Sequence, residues 1–202
     1  KVILGSAAET NLYFAEFKLL GANLPSSAQD YFNRGVELSV LRMDDIAKEH
    51  RYPYYDKDPV YEDDVMAEAG STKLRANEIT DLLAMPAYDL STDGLEKVYI
   101  QQLINHAGTP HDTWTTSRRS GVPKTGSTVL PREPFLSGGS DLIVPRRFKS
   151  GEPLESSKNY ANEQAALDEQ GFTPGSNNPA VLNSQRLWFD KENPAYGAGP
   201  KQ

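Results

Sequence analysis

The chain has no cysteine in its 202 residues, which excludes disulfides, thiolate metal ligands and a thiol nucleophile. Histidine is scarce: His50, His106 and His111 are its three. None pairs with another at a spacing typical of zinc sites, and the interval from His106 to His111 crosses a Gly-Thr-Pro turn. They read as surface or capping residues, and no metal is expected. No apolar run approaches the roughly 20 residues that a membrane-spanning helix needs. Positive charge is also short. Lys and Arg number 21 against 28 Asp and Glu, a net charge of −7, which disfavours a nucleic-acid surface or an anionic membrane face. There is no Gly-x-Ser-x-Gly, no Walker A and no Gly-x-Gly-x-x-Gly, so the motifs point to no catalytic class and no cofactor. The chain opens on Lys1 without a signal-peptide pattern and is read as part of a longer or processed protein.

What is present suits a soluble, mainly helical chain: 38% apolar and 24% charged residues. Ser6-Ala7-Ala8-Glu9 has the form of a capping box before an apolar-rich run. Ala8, Leu12, Ala15 and Leu19 fall on one helical stripe, with Tyr13, Phe17 and Leu20 on a neighbouring one. So wide an apolar arc predicts burial between neighbours. After Gly21, Pro25-Ser26-Ser27 starts a second helix running to about Lys48, with Ala28, Phe32, Val36, Val40 and Met43 on its stripe. Together they form an αα-hairpin of about 34 residues, the length of a tetratricopeptide unit. Gly35 and Phe32 sit where such a unit packs one helix on the other.

A short helix is predicted over Ala76 to Ala84, ended by Pro86. Ser91-Thr92-Asp93 caps another, from Gly94 to His106, which Gly108 closes. Thr109-Pro110 starts the next: threonine suits the N-cap and proline the first helical position. Gly121 supplies a left-handed stop and Pro123 forbids continuation. These make a second hairpin. Proline, glycine and serine then dominate. Leu142-Ile143-Val144 is a strand or an extended covering segment. Asn159 to Gln170 reads as a helix ended by Gly171, and the tail is loop-like around Leu187-Trp188-Phe189-Asp190. The fold class is all-α, with tetratricopeptide-like hairpins over 1–123 and an irregular, loop-rich region with one or two short helices over 124–202.

Two clusters invite a functional reading. Tyr52, Tyr54, Tyr55 and Tyr61 crowd one loop, and tyrosine rings stack on the apolar faces of sugars while offering a hydroxyl. Pinning a long loop to the domain is the other reading. Asp56 and Asp58 with Glu62-Asp63-Asp64 have the acid density of a calcium loop. They lack the glycine and terminal glutamate of an EF-hand and read as solvated. The second cluster is Trp114, Arg118 and Arg119 on one short helix. Trp114 is read as core, locking the second hairpin to the irregular region. The arginines hold an anion or carboxylate, or else fix loop carbonyls and acids of that region.

These residues carry a resemblance. Asp112-x-Trp114-x-x-x-Arg118-Arg119-x-Gly121-x-Pro123 resembles the Trp-to-Arg-Arg-x-Gly-x-Pro signature of SusD/RagB-like outer-membrane lipoproteins. Ala8-Glu9 through Phe14-Ala15-Glu16 is similar to the first helix of that family's hairpin, and Ala28-x-x-Tyr31-Phe32-x-x-Gly35-Val36 to its partner. Leu95-Glu96-x-Val98-x-x-Gln101 resembles the helix before the signature. Pro145-Arg146-Arg147-Phe148 with Glu155, Asn159 and Tyr160 resembles a later stretch, and Leu187-Trp188-Phe189-Asp190-Lys191 the terminal aromatic motif. Departures are Gln101-Gln102-Leu103 for Gln-Lys-Trp, and Phe189 for a second tryptophan. They suggest a divergent branch.

The resemblance implies a tetratricopeptide-like all-α fold, and it implies that 1–202 is the C-terminal part of a longer protein. It implies a non-enzymatic nutrient binder on the extracellular face of the outer membrane in Bacteroidetes-type bacteria. Such a protein is held by a lipid anchor upstream of this chain. It binds oligosaccharide or polysaccharide and partners a TonB-dependent, SusC-like transporter. The family supplies no catalytic residue, and its ligand sites do not map onto fixed positions, so the ligand assignment rests on Tyr52, Tyr54, Tyr55 and Tyr61. The alternative is a helical-repeat scaffold that binds proteins and has no glycan site of its own.

Overall fold

The computed structural model describes residues 5–52, 55–56, 73–133, 136–141 and 143–201. Among them the chain is mostly helical: α1 Ala7–Leu19, α2 Ala28–Glu49, α3 Glu78–Leu83, α4 Gly94–Asn105, α5 Pro110–Ser120, α6 Tyr160–Gln170 and α7 Pro179–Ser184. Short 3₁₀ turns cover Pro86–Tyr88 and Trp188–Asp190. The described strands are β1 Leu136–Ser137 and β2 Ser140–Asp141, an antiparallel pair around Gly138-Gly139. The all-α class holds, with that hairpin as a minor addition. The chain divides into two compact units, residues 1–116 and 117–202.

In unit 1, α1, α2 and α4 pack together around Leu12, Ala15, Phe32, Val36, Leu90 and Val98. Each large apolar side chain buried there contributes about 1.5–3 kcal/mol. Both hairpin helices start at the expected serines, α1 with the serine half of its predicted capping box. Ser6 Oγ accepts the Glu9 N–H at 3.1 Å. Ser27 and Asp30 form a complete capping box, each side chain accepting the other's backbone N–H. At Gly35 an added Cβ would stand 2.8 Å from the Leu12 side chain and 3.2 Å from the Ala8 carbonyl, so glycine permits the close helix crossing.

Buried polar groups tie the layers together. Glu16, 2% exposed, accepts from Tyr99 Oη at 3.0 Å and from Gln102 Nε2 at 2.8 Å, linking α1 to α4. Gln29 holds the loop before α4 through the Tyr88 carbonyl and the Leu90 N–H. Lys97 Nζ donates to the Pro86 and Asp89 carbonyls.

Several expectations need correction. The second stripe of α1 is not buried: Phe17 and Leu20 are exposed, because α2 and α4 cover only the Leu12 side. Asp93 is the N-cap residue of α4, as expected, but it sits at φ 52 and its side chain makes no capping hydrogen bond. Gly108 does not close α4; the C-cap is His106 at φ −93. Thr109 donates its hydroxyl to the His106 carbonyl at 3.2 Å. α3 begins later than predicted, after left-handed Asn77.

Unit 2 is organised differently. Its buried apolar side chains among the described residues are Val122 and Leu182, while Arg146, Arg147 and Asp190 are buried beside them. Gly121 is left-handed at φ 71, as expected, and an added Cβ would meet the Ala195 carbonyl at 2.8 Å and the Gly199 carbonyl at 2.9 Å. Gly199 N–H donates to the Gly121 carbonyl at 3.1 Å, closing the C-terminal segment onto this turn. α6 ends at left-handed Gly171, as predicted. α7 was not predicted. It lies in the tail read as loop, with Asn178 accepting the Ala180 N–H and Pro179 at its first position.

Candidate functional site

Unit 1 carries a cleft of about 430 Å³ between the later turns of α2, the C-terminal half of α4 and the segment at Leu74. Val40, Met43, Leu74 and Ile104 supply apolar wall, Gln101 and Asp44 supply polar groups, and Tyr52 stands at the edge. Tyr52 is 51% exposed at this edge. The volume lies in the range of small-molecule sites.

Asp44 fixes this edge. Its Oδ2 accepts the Tyr55 hydroxyl at 3.1 Å and its Oδ1 accepts the Leu74 N–H at 3.0 Å. Tyr55 N–H donates to the Tyr52 carbonyl, and Lys73 N–H to the Tyr55 carbonyl. One carboxylate on α2 thus holds both described ends of the tyrosine loop. Burial raises the Tyr55 hydroxyl above its ordinary pKa, and the bond to Asp44 adds to the shift.

The predicted tyrosines separate into distinct roles. Tyr55 is 7% exposed and anchors the loop rather than facing a ligand. Tyr52 lines the cleft. Tyr54 and Tyr61 lie outside the described residues, as do Asp58, Glu62, Asp63 and Asp64 of the acidic loop. No group of three or more His, Asp or Glu among the described residues is arranged to hold a metal.

The Trp-Arg-Arg stretch takes another role. Trp114 is 51% exposed, so the expectation of a core tryptophan is corrected: its helix turns half the ring to solvent. Arg118 does hold loop groups. Its Nη2 donates to the Arg146 carbonyl and, at 3.2 Å, to Asp190 Oδ2. Asp190 is fully buried and also takes a bidentate pair from Arg146, Nε at 2.9 Å and Nη2 at 2.5 Å. Asn193 Nδ2 adds a bond at 2.8 Å, and Arg186 Nη1 lies 3.6 Å away. Arg146 also donates to the carbonyls of Pro194 and Arg118 and stacks on the Tyr196 ring at 4.7 Å.

Burial alone would raise the Asp190 carboxyl. Hydrogen bonds from Arg146, Asn193 and Arg118, with the Arg146 charge, outweigh it and hold the group well below the usual carboxylate range. The cluster is a saturated structural centre. Beside it, Trp188 and Phe189 are exposed and meet edge to face at 5.6 Å, so the expected aromatic knot contributes its aspartate, not its rings, to the interior. Sequence reading missed Asp190 and Arg146 as partners because 44 residues separate them. The signal available was that both sit in motifs of the same resemblance.

No family model matches the chain, and no solved structure matches it. An uncharacterized transmembrane protein of Dictyostelium discoideum is 30% identical over 121 residues. The match takes in 56% of this chain and 40% of that protein, so the chain spans less than half of the relative's length. Among the described residues, no helix is long and apolar enough to cross a membrane.

Proposed function

We propose that the chain is the C-terminal part of a SusD/RagB-like, cell-surface nutrient-binding protein. It binds oligosaccharide or polysaccharide without catalysis and serves a TonB-dependent, SusC-like transporter. In this reading a lipid anchor upstream of the chain holds the protein on the extracellular face of the outer membrane. The observation that carries it is the meeting of separate motifs. Arg118 of the Trp-Arg-Arg stretch, Arg146 of the Pro-Arg-Arg stretch and Asp190 of the terminal motif share one buried carboxylate. Residues that resemble one family in order along the chain are also one interacting set, as expected if they constitute a signature. The helical hairpin of α1 and α2 and the Tyr52 cleft support the same reading.

Affinity electrophoresis of the full-length protein through gels containing a panel of glycans tests it. Retardation by at least one glycan, reduced in Tyr52→Ala, is the expected result. Migration unchanged by every glycan, with transporter co-purification intact, overturns the glycan reading in favour of a protein-binding scaffold.

A further inference from the structure

A second cleft of unit 1, about 390 Å³, opens near the N-terminus of α1 and the junction of α4 and α5. Arg42, Asn105 and His106 line it, with Glu9 and Asp112 among the other polar residues. Asn105 is 3% exposed and His106 4%. Asn105 Nδ2 and Oδ1, Arg42 Nε and His106 Nδ1 are all buried without a hydrogen bond from the protein. His106 Nε2 lies 3.3 Å from Glu9 Oε1 without hydrogen-bond alignment. Native interiors rarely leave such groups unpaired, and several around one cleft require an explanation.

The chemistry of these groups selects a ligand. An unpaired amide offers donors and an acceptor side by side, which matches neighbouring hydroxyls, each both donor and acceptor. Arg42 donates through Nη2 to the Asn105 carbonyl at 2.7 Å, and its buried Nε is a further donor without a protein partner. Two acids, Glu9 and Asp112, against one arginine make the cleft unfavourable to phosphate or other anions. Met43 and Ile46 give an apolar wall for the C–H face of a ring. Met43 also lines the Tyr52 cleft, so the two recesses adjoin on α2.

We infer that the Arg42–Asn105–His106 cleft is a second subsite for a neutral sugar unit, joined through Met43 to the Tyr52 cleft along one carbohydrate-binding face. This inference rests on the proposed glycan-binding function.

Isothermal titration of the full-length protein with neutral oligosaccharides of glucose, galactose, mannose and xylose tests it, using Asn105→Leu and Gly108→Phe. Gly108 lines the cleft, and a Cβ added there meets nothing within 4 Å, so a bulky side chain is introduced at the cleft without a clash at its Cβ, and the variant's melting temperature is checked alongside. The expected result is at least tenfold weaker binding in both variants. Asn105→Leu should melt no lower than wild type, because it removes unpaired buried polar atoms. Should it fail to fold, Gly108→Phe alone decides. Wild-type affinity in a folded variant overturns the subsite while leaving the glycan reading intact, and means that the buried groups are met by water alone. A wild-type protein that binds none of these sugars overturns the neutral-sugar subsite, and the wider glycan panel then decides the reading it rests on.

Discussion

At the scale of single residues, the buried carboxylate of Asp190 is shared by Arg146, Arg118 and Arg186. Asp190→Ala leaves a fully buried guanidinium without its counter-charge, and unfolding in urea should show a loss of about 3–5 kcal/mol. Trp114→Ala should cost less, about 1–2 kcal/mol, because half the ring is already in water and only the buried part forfeits packing. A loss as large as that of Asp190→Ala would sink this account of Trp114. Gly35→Ala sets two effects against each other. Alanine gains about 1 kcal/mol of helix propensity, but its Cβ overlaps Leu12 and crowds the Ala8 carbonyl, at a cost of about 1–3 kcal/mol. Steric overlap should win, and the melting temperature should fall.

Among the elements, the start of α2 and the anchoring of the tyrosine loop are separable. Ser27→Ala removes the side-chain half of the capping box and should cost about 1 kcal/mol in equilibrium unfolding, with the site unchanged. Asp44→Ala acts locally instead. It frees the Tyr55 hydroxyl and the Leu74 N–H together. Amide exchange should accelerate at Leu74 and the adjoining loop while the centre of α2 keeps its protection. The limits of α1, α2, α5 and α6 were readable because serine caps, the proline start and left-handed glycines act within one turn. α7 was missed because the helix that starts at Pro179 has only six residues, too few to show a helical period.

For the molecule as a whole, pH connects the polar centre to stability. The folded-state pKa of Asp190 lies below its unfolded value of about 3.9, so the unfolded chain takes the proton first. Its stabilising contribution is complete above about pH 5 and is lost as pH falls below about 4 towards the depressed value. Melting temperatures recorded across that range should fall more steeply for wild type than for Asp190→Asn. The two units rest on different interactions, an apolar three-helix core in one and an arginine–aspartate centre in the other. Acid should weaken unit 2 through this group, with no matching loss in the Leu12–Phe32–Val98 core.

The sequence by itself determined the helical class and the α1–α2 hairpin, because helical period, serine caps and left-handed glycines operate over a few residues. Tertiary structure alone decided which side of α1 is buried, since that depends on where α2 and α4 pack. It separated Tyr52 from Tyr55 through one hydrogen bond to Asp44, and it left Trp114 half-exposed. It also brought Arg118, Arg146 and Asp190 together, and left Asn105 and His106 buried around an open cleft. Such pairings join residues 11 or more positions apart, and no local pattern encodes the distance between them.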